Sequence, residues 1–330
     1  VIVAVASRKA SPGATTLAGL LAAYWYDPGT VRLLIEADPS GGTLAARWSM
    51  AHGLSWDPGL LALSATRNRF AAEMLPSVAQ LIDDDLWVAA APPAPDQVAA
   101  GLTRLGDRGA AALAAATDIQ VVVDCGRLTA VSPALPLARR AALTILVCRP
   151  RLDEVHALQP AVAELDNAGC ALGLICQGDG PYSPDEVAET LGVELLGVLP
   201  VDDRAANAFD RDGMGAGRVF HRSGMAHSAE ELASLVRVKV ADTLDLDQSG
   251  SDPQSATDHP DPDPDPDSDQ RPATALRGPP PEWALVPSPS SAPAPEQDAA
   301  SDGDGSVKTW FTPPLQVLRD NGDAEVSNRG

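Results

Sequence analysis

The sequence predicts an α/β fold: a mostly parallel, twisted sheet flanked by helices, followed by an acidic, proline-rich tail. Three observations predict it. Short apolar runs alternate with Ala/Leu-rich stretches of helical spacing over roughly the first 240 residues. Those runs are apolar almost throughout, as strands buried on both faces must be. Composition then changes abruptly near residue 245.

The strand-like runs are 1–6, 31–36, 86–90, 119–124, 143–148, 172–176 and 195–199. Helical spacing marks 14–25, 59–65, 97–116, 152–168, 184–191 and 228–240, and the last of these closes a domain spanning 1–244. Asp83, Asp84 and Asp85 stand just before the strand at 86 and read as a turn, not as an acid/base pair. His52, His156, His221 and His227 show no ligand spacing. Cys125, Cys148, Cys170 and Cys176 form no CxxC, so buried, reduced thiols are expected.

From 245 to 330 the chain is rich in Asp, Pro and Ser, with Asp-Pro repeats at 261–267. Such a stretch cannot bury enough apolar surface to offset its ordering entropy, so a disordered, extended tail is expected. Apolar islands at 283–286 (Trp-Ala-Leu-Val) and near 310–318 are read as short docking motifs for a protein partner.

The net charge is −21, with 27 acids against 19 Lys/Arg in 1–240 and 18 against 5 in 241–330. That balance disfavours broad binding to nucleic acid, which needs basic surface. The one loosely basic stretch, Arg204 to Lys239, is interleaved with acids, and DNA is the less favoured partner. No run approaches the ~20 apolar residues that span a bilayer, so no membrane association is expected. The opening Val-Ile-Val-Ala-Val reads as a strand and not as a leader, and a cytoplasmic location is expected.

Residues 7–16 (Ser-Arg-Lys-Ala-Ser-Pro-Gly-Ala-Thr-Thr) join the first strand to the first helix. A helix N-terminus there presents free N–H groups and a positive dipole end, the natural seat of a phosphate. The loop resembles that of the ParA/MinD family, Lys-Gly-Gly-x-Gly-Lys-Thr-Thr, at Lys9, Gly13, Thr15 and Thr16. It departs at Ala10 and Ser11, glycines in the family, and at Ala14, where the family has the lysine that holds the phosphates. Three further segments follow in the family's order. Residues 34–39 (Leu-Ile-Glu-Ala-Asp-Pro) resemble its Asp-x-Asp-Pro motif, with Glu36 for the first acid. Residues 121–126 resemble its strand-borne aspartate, at Asp124. Ile175-Cys176-Gln177 and residues 197–202 (Gly-Val-Leu-Pro-Val-Asp) resemble its base-binding segments.

The resemblance covers about 1–240 and implies a P-loop NTPase-like fold with ATP and Mg²⁺ as cofactors. It places Lys9, Ser11, Gly13, Ala14, Thr15 and Thr16 at the nucleotide's phosphates, and Gln177, Pro200 and Asp202 at its base. Thr15 is implied as the Mg²⁺ ligand, with Asp38 and Asp124 behind the metal's water shell. Asp38 is implied as the catalytic residue that positions water, and Lys9 as reaching across a nucleotide-dependent homodimer. Ala14 removes a charge-assisted contact worth roughly 1.5–3 kcal/mol, which argues for weak or no hydrolysis. Arg8, Arg127 and Arg149 are the candidates to replace that charge. The expected function is a degenerate ATPase acting as a positioning or assembly factor for chromosome or plasmid partition, division or secretion machinery. An active Mg-ATP-dependent switch is the alternative. A Rossmann-type oxidoreductase ranks third: Glu36 suits a ribose, but residues 7–16 hold one glycine where GxGxxG is needed.

Overall fold

Six consecutive apolar or small residues make β1 (Ile2–Ser7), every one of them buried. In the computed structural model it is followed by α1 (Ala14–Tyr24), β2 (Val31–Glu36), α2 (Leu44–His52), α3 (Leu60–Ala65), α4 (Leu75–Val78), β3 (Gln80–Asp83) and β4 (Leu86–Ala89). The chain continues through α5 (Pro95–Ala114), β5 (Ile119–Arg127), α6 (Leu135–Arg139), β6 (Leu143–Cys148), α7 (Leu152–Asn167), β7 (Leu172–Gln177) and α8 (Pro184–Leu191). It ends with β8 (Leu195–Leu199), α9 (Asp203–Asp212), α10 (Gly217–His221) and α11 (Gly224–Ser249). The structure describes residues 1–9, 13–66, 69–83, 85–213 and 217–249. Ala10, Ser11, Pro12, Asp84 and the tail from 250, with its apolar islands at 283–286 and 310–318, lie outside the described residues.

The eight strands form one sheet in the order β3-β4-β2-β5-β1-β6-β7-β8. All neighbours pair in parallel except β3, which runs antiparallel to β4. The expected mostly parallel sheet flanked by helices is therefore present. β5 lies between β1 and β2. In a dinucleotide-binding Rossmann sheet the first two strands are adjacent, so this order argues against the oxidoreductase reading. Parallel strands bring their C-terminal ends to one edge of the sheet. The loop after β1, the acids after β2 and the end of β5 consequently meet there.

Alternation along β1 sends Ile2, Ala4 and Ala6 into one core and Val3 and Val5 into the other. The first core is covered by α3, α5, α6, α7 and α8 through Leu60, Leu102, Leu137, Leu158 and Val187. The second is covered by α1, α2, α9 and α11 through Leu17, Trp48, Phe209 and Val236. Trp48 meets Phe209 edge-on at 5.6 Å between ring centroids and donates its indole N–H to the Phe209 carbonyl at 3.1 Å. That contact ties α2 to α9 above the second core. Arg32 of β2 forms a partly buried ion pair with Asp85, at the turn between β3 and β4. The four cysteines are buried and unpaired. α11 runs through Ser249, past the composition break at 245. No helix among the described residues is long and apolar enough to cross a membrane.

Candidate nucleotide site

The loop after β1 delivers the chain to α1 through Gly13, whose φ of 82° lies in the left-handed region that glycine enters without strain. The first bond within the helix runs from the Leu17 N–H to the Gly13 carbonyl at 2.9 Å. Among the described residues no side chain caps α1, and no acid sits in its first turn. Its leading amides, left without helical partners, open onto a cavity of about 240 Å³. Ala14, Thr15 and Thr16 line one wall, and Asp38, Gly126 and Arg127 another. Arg47 and Asp210, joined at 2.9 Å, close the rim.

Glu36 and Asp38 line this cavity and Asp124 lies behind it, and the surroundings of the three differ. Glu36 and Asp124 are register partners on β2 and β5, each 1% exposed. Glu36 is saturated: Oε1 accepts the Thr43 and Leu44 N–H groups at 2.5 and 2.9 Å, and Oε2 accepts that of Ala91 at 3.0 Å. Burial raises its pKa, and these bonds oppose the rise. Glu36 thus fastens the start of α2 and the end of β4 to the sheet edge, a role in which both its oxygens are engaged.

Asp124 is different. Its Oδ1 accepts the Gly126 N–H at 3.0 Å, but its buried Oδ2 has no hydrogen-bond partner among the described residues. Burial pushes its pKa up from 3.8 to about 7. The Thr15 hydroxyl and the Gly126 amide pull it down, while Glu36 and Asp38 add to the rise. A buried, unsatisfied carboxyl oxygen beside a threonine hydroxyl at a helix N-terminus fits a divalent cation.

Asp38 accepts the Ser40 N–H at 2.9 Å and lies over Gly126. A Cβ on Gly126 would come within 2.0 Å of the Asp38 carboxyl carbon, and Gly126 has φ 54°. Glycine at 126 therefore lets Asp38 and Asp124 share one end of the cavity.

The remaining expected residues are spread more widely. Lys9 pairs with Asp153 of α7 at 3.2 Å, both about half exposed, and lowers the Asp153 pKa. Gln177, expected at the base, lies against the loop: a Cβ on Gly13 would meet its amide nitrogen at 2.5 Å. Its Oε1 is buried without a hydrogen-bond partner among the described residues. Asp202 caps α9 by accepting the Ala205 N–H at 2.9 Å, and neither it nor Pro200 lines the cavity. Ser11 lies outside the described residues.

Sequence reasoning did not place Arg47 or Asp210 at the site. Both come from helices distant in sequence, and no local motif marks them. Of the three arginines expected as candidates to replace the missing charge, Arg127 lines the cavity, and Arg8 and Arg149 do not.

The sheet order, with acids at the ends of β2 and β5 beside the N-terminus of α1, defines an α/β fold of the P-loop type. No family model matches the chain, and no curated protein matches it. Solved structures do. The ParA family ATPase from Chlorobium tepidum TLS superposes with a TM-score of 0.59 at 16% identity, covering 71% of this chain and 97% of that one. The cell division ATPase MinD from Pyrococcus furiosus gives 0.56 at 19%, covering 72% and 98%. A putative plasmid partition protein from Borrelia burgdorferi, bound to AMPPNP, gives 0.55 at 14%, covering 72% and 98%. The chain therefore has the fold of ParA/MinD-type P-loop proteins.

Proposed function

We propose that this chain is a ParA/MinD-type protein that holds a Mg²⁺-bound adenine nucleotide at the N-terminus of α1, with hydrolysis weak or absent. It would act as a nucleotide-dependent positioning or assembly factor in chromosome or plasmid partition, division or secretion. The observation that carries the reading is the buried Oδ2 of Asp124, unpartnered among the described residues, on a carboxylate beside the Thr15 hydroxyl at the start of α1.

In this reading Thr15 gives its hydroxyl to the metal, and Asp124 and Asp38 hold the metal's water shell. The free amides around Gly13, Thr15 and Thr16 would donate to the phosphate oxygens. The metal's own contribution is positive charge against the phosphates and against Asp124. The AMPPNP in the Borrelia partition protein supports an adenine nucleotide as ligand. Gln177, Pro200 and Asp202 are assigned to the base side, as the family resemblance implies. Lys9 is assigned to a homodimer contact that would replace its present partner Asp153. Residues beyond 249 are assigned to recruiting a protein partner through the apolar segments at 283–286 and 310–318.

Weak hydrolysis rests on Ala14. Its methyl group is 5% exposed at the position of the family's lysine, so the first turn of α1 brings no cation to the phosphates. An active switch is the second reading, favoured by Asp38, whose carboxyl overhangs the cavity beside Gly126. A phosphate-release assay separates the two, since only the active switch gives turnover that Asp38→Ala removes.

Calorimetric titration of the full chain with ATP tests the shared claim. Saturable binding that needs Mg²⁺ and weakens about tenfold or more in Thr15→Ala is the expected result. Absence of binding at millimolar Mg-ATP would refute it.

A further inference from the structure

We propose that Arg127 supplies the positive charge to the nucleotide's phosphates that the loop lacks at Ala14. This rests on the nucleotide reading above and adds the residue that makes a lysine-free loop workable.

The cavity needs a cation. Glu36, Asp38 and Asp210 line it and Asp124 lies behind it, so an entering phosphate chain meets acids. The nearby cations are mostly committed elsewhere. Lys9 is paired with Asp153. Arg8 reaches the Leu128 carbonyl at 3.4 Å and Glu164 at 3.8 Å. Arg149 lies 3.8 Å from Glu154. Arg47 does line the cavity, but Asp210 neutralises it at 2.9 Å. Arg127 also lines the cavity, is exposed, and makes no ion pair or side-chain hydrogen bond among the described residues.

Its position follows from the sheet. Arg127 is the last residue of β5 and the register partner of Ser7, the last residue of β1 before the loop. Its backbone is therefore one strand spacing, about 4.8 Å, from the loop's point of departure. Glycine at 126, with φ 54°, turns the chain just before it. The guanidinium can present two parallel N–H donors to phosphate oxygens, a geometry that an ammonium lacks.

The test is a titration of the full-length protein with fluorescently labelled ADP in Mg²⁺, for the wild type, Arg127→Ala and Arg127→Lys. Arg127→Ala is expected to weaken binding roughly 10- to 100-fold. Arg127→Lys, which keeps the charge and loses the fork, is expected to fall between the two. Melting temperatures should match the wild type, because Arg127 has no partner to lose. Wild-type affinity in Arg127→Ala would overturn the proposal and leave the nucleotide reading standing. Failure of the wild type to bind would instead overturn the nucleotide reading itself, and this assignment with it.

Discussion

Asp124→Asn is expected to stabilise the ligand-free protein while removing its Mg²⁺-dependent binding. Asp124 is 1% exposed, and burial lifts its pKa from 3.8 to about 7. The unfolded chain ionises this group near 3.8, whereas the folded chain keeps the proton until about 7. Between those values the folded state binds more protons, so stability falls as pH rises through that window. At pH 8 the full penalty is of order 4 kcal/mol, and at pH 5 it is only about 1–2 kcal/mol. Asparagine carries no such charge, and its Oδ1 can still accept the Gly126 N–H. Urea denaturation of both proteins at pH 5 and pH 8, without Mg²⁺ or nucleotide, measures the effect. The advantage of the variant should grow by about 2–3 kcal/mol from the lower to the higher pH. Any pH-independent cost of the amide cancels in that comparison. An advantage that stays constant, or shrinks as pH rises, would refute the account of Asp124 as an uncompensated buried acid. Saturating Mg-ADP should then raise the stability of the wild type and leave that of the variant unchanged.

Other outcomes follow from the same geometry. Lys9→Ala removes a solvent-exposed ion pair with Asp153, so the denaturation midpoint should barely move. In light scattering with a non-hydrolysable ATP analogue it should stay monomeric while the wild type dimerises, and dimerisation of both would contradict the role given to Lys9. Gly126→Ala combines a positive φ with a collision against Asp38, and should destabilise by about 1–3 kcal/mol in chemical denaturation. Nucleotide affinity should drop with it, and an unchanged denaturation midpoint would count against the tight approach of Asp38. Truncation after Ser249 should leave the melting transition in place, because the cores are built from residues 2–240. Loss of that transition would place a structural role in the tail.

Much of the sheet was legible because parallel strands buried on both faces write themselves as unbroken apolar runs. The runs at 1–6, 31–36 and 143–148 became β1, β2 and β6 almost residue for residue. β3 escaped because its four residues are only half buried, alternating along an edge. α9 escaped because its sequence is dominated by charge, with only Ala205, Ala208 and Phe209 buried. The order of the strands could not be read from the runs themselves. It is set by which strands pair across the sheet, long-range contacts that no local run encodes.

The site was legible where its residues sit next to motifs and obscure where the fold makes the contact. Thr15, Asp38 and Asp124 were expected near the loop, and the fold gathers them there. Glu36 looked like a ligand-facing acid, yet its oxygens are occupied by the amides of Thr43, Leu44 and Ala91. Nothing in the sequence announces that, since the donors are backbone groups 7, 8 and 55 residues away. Arg47 and Asp210 meet across a separation of 163 residues, which no local pattern encodes. Asp202 shows the opposite case: an acid three residues ahead of Ala205 is a helix cap by spacing alone.

The central claim is that the turn from β1 to α1 seats a nucleotide's phosphates. A crystal structure of the full chain with Mg²⁺ and AMPPNP examines it most directly. Density for the phosphates should lie over the amides that begin α1, with a metal ion between Thr15 and Asp124. Density for the nucleotide at another place on the protein, or phosphates with no metal near Asp124, would contradict it.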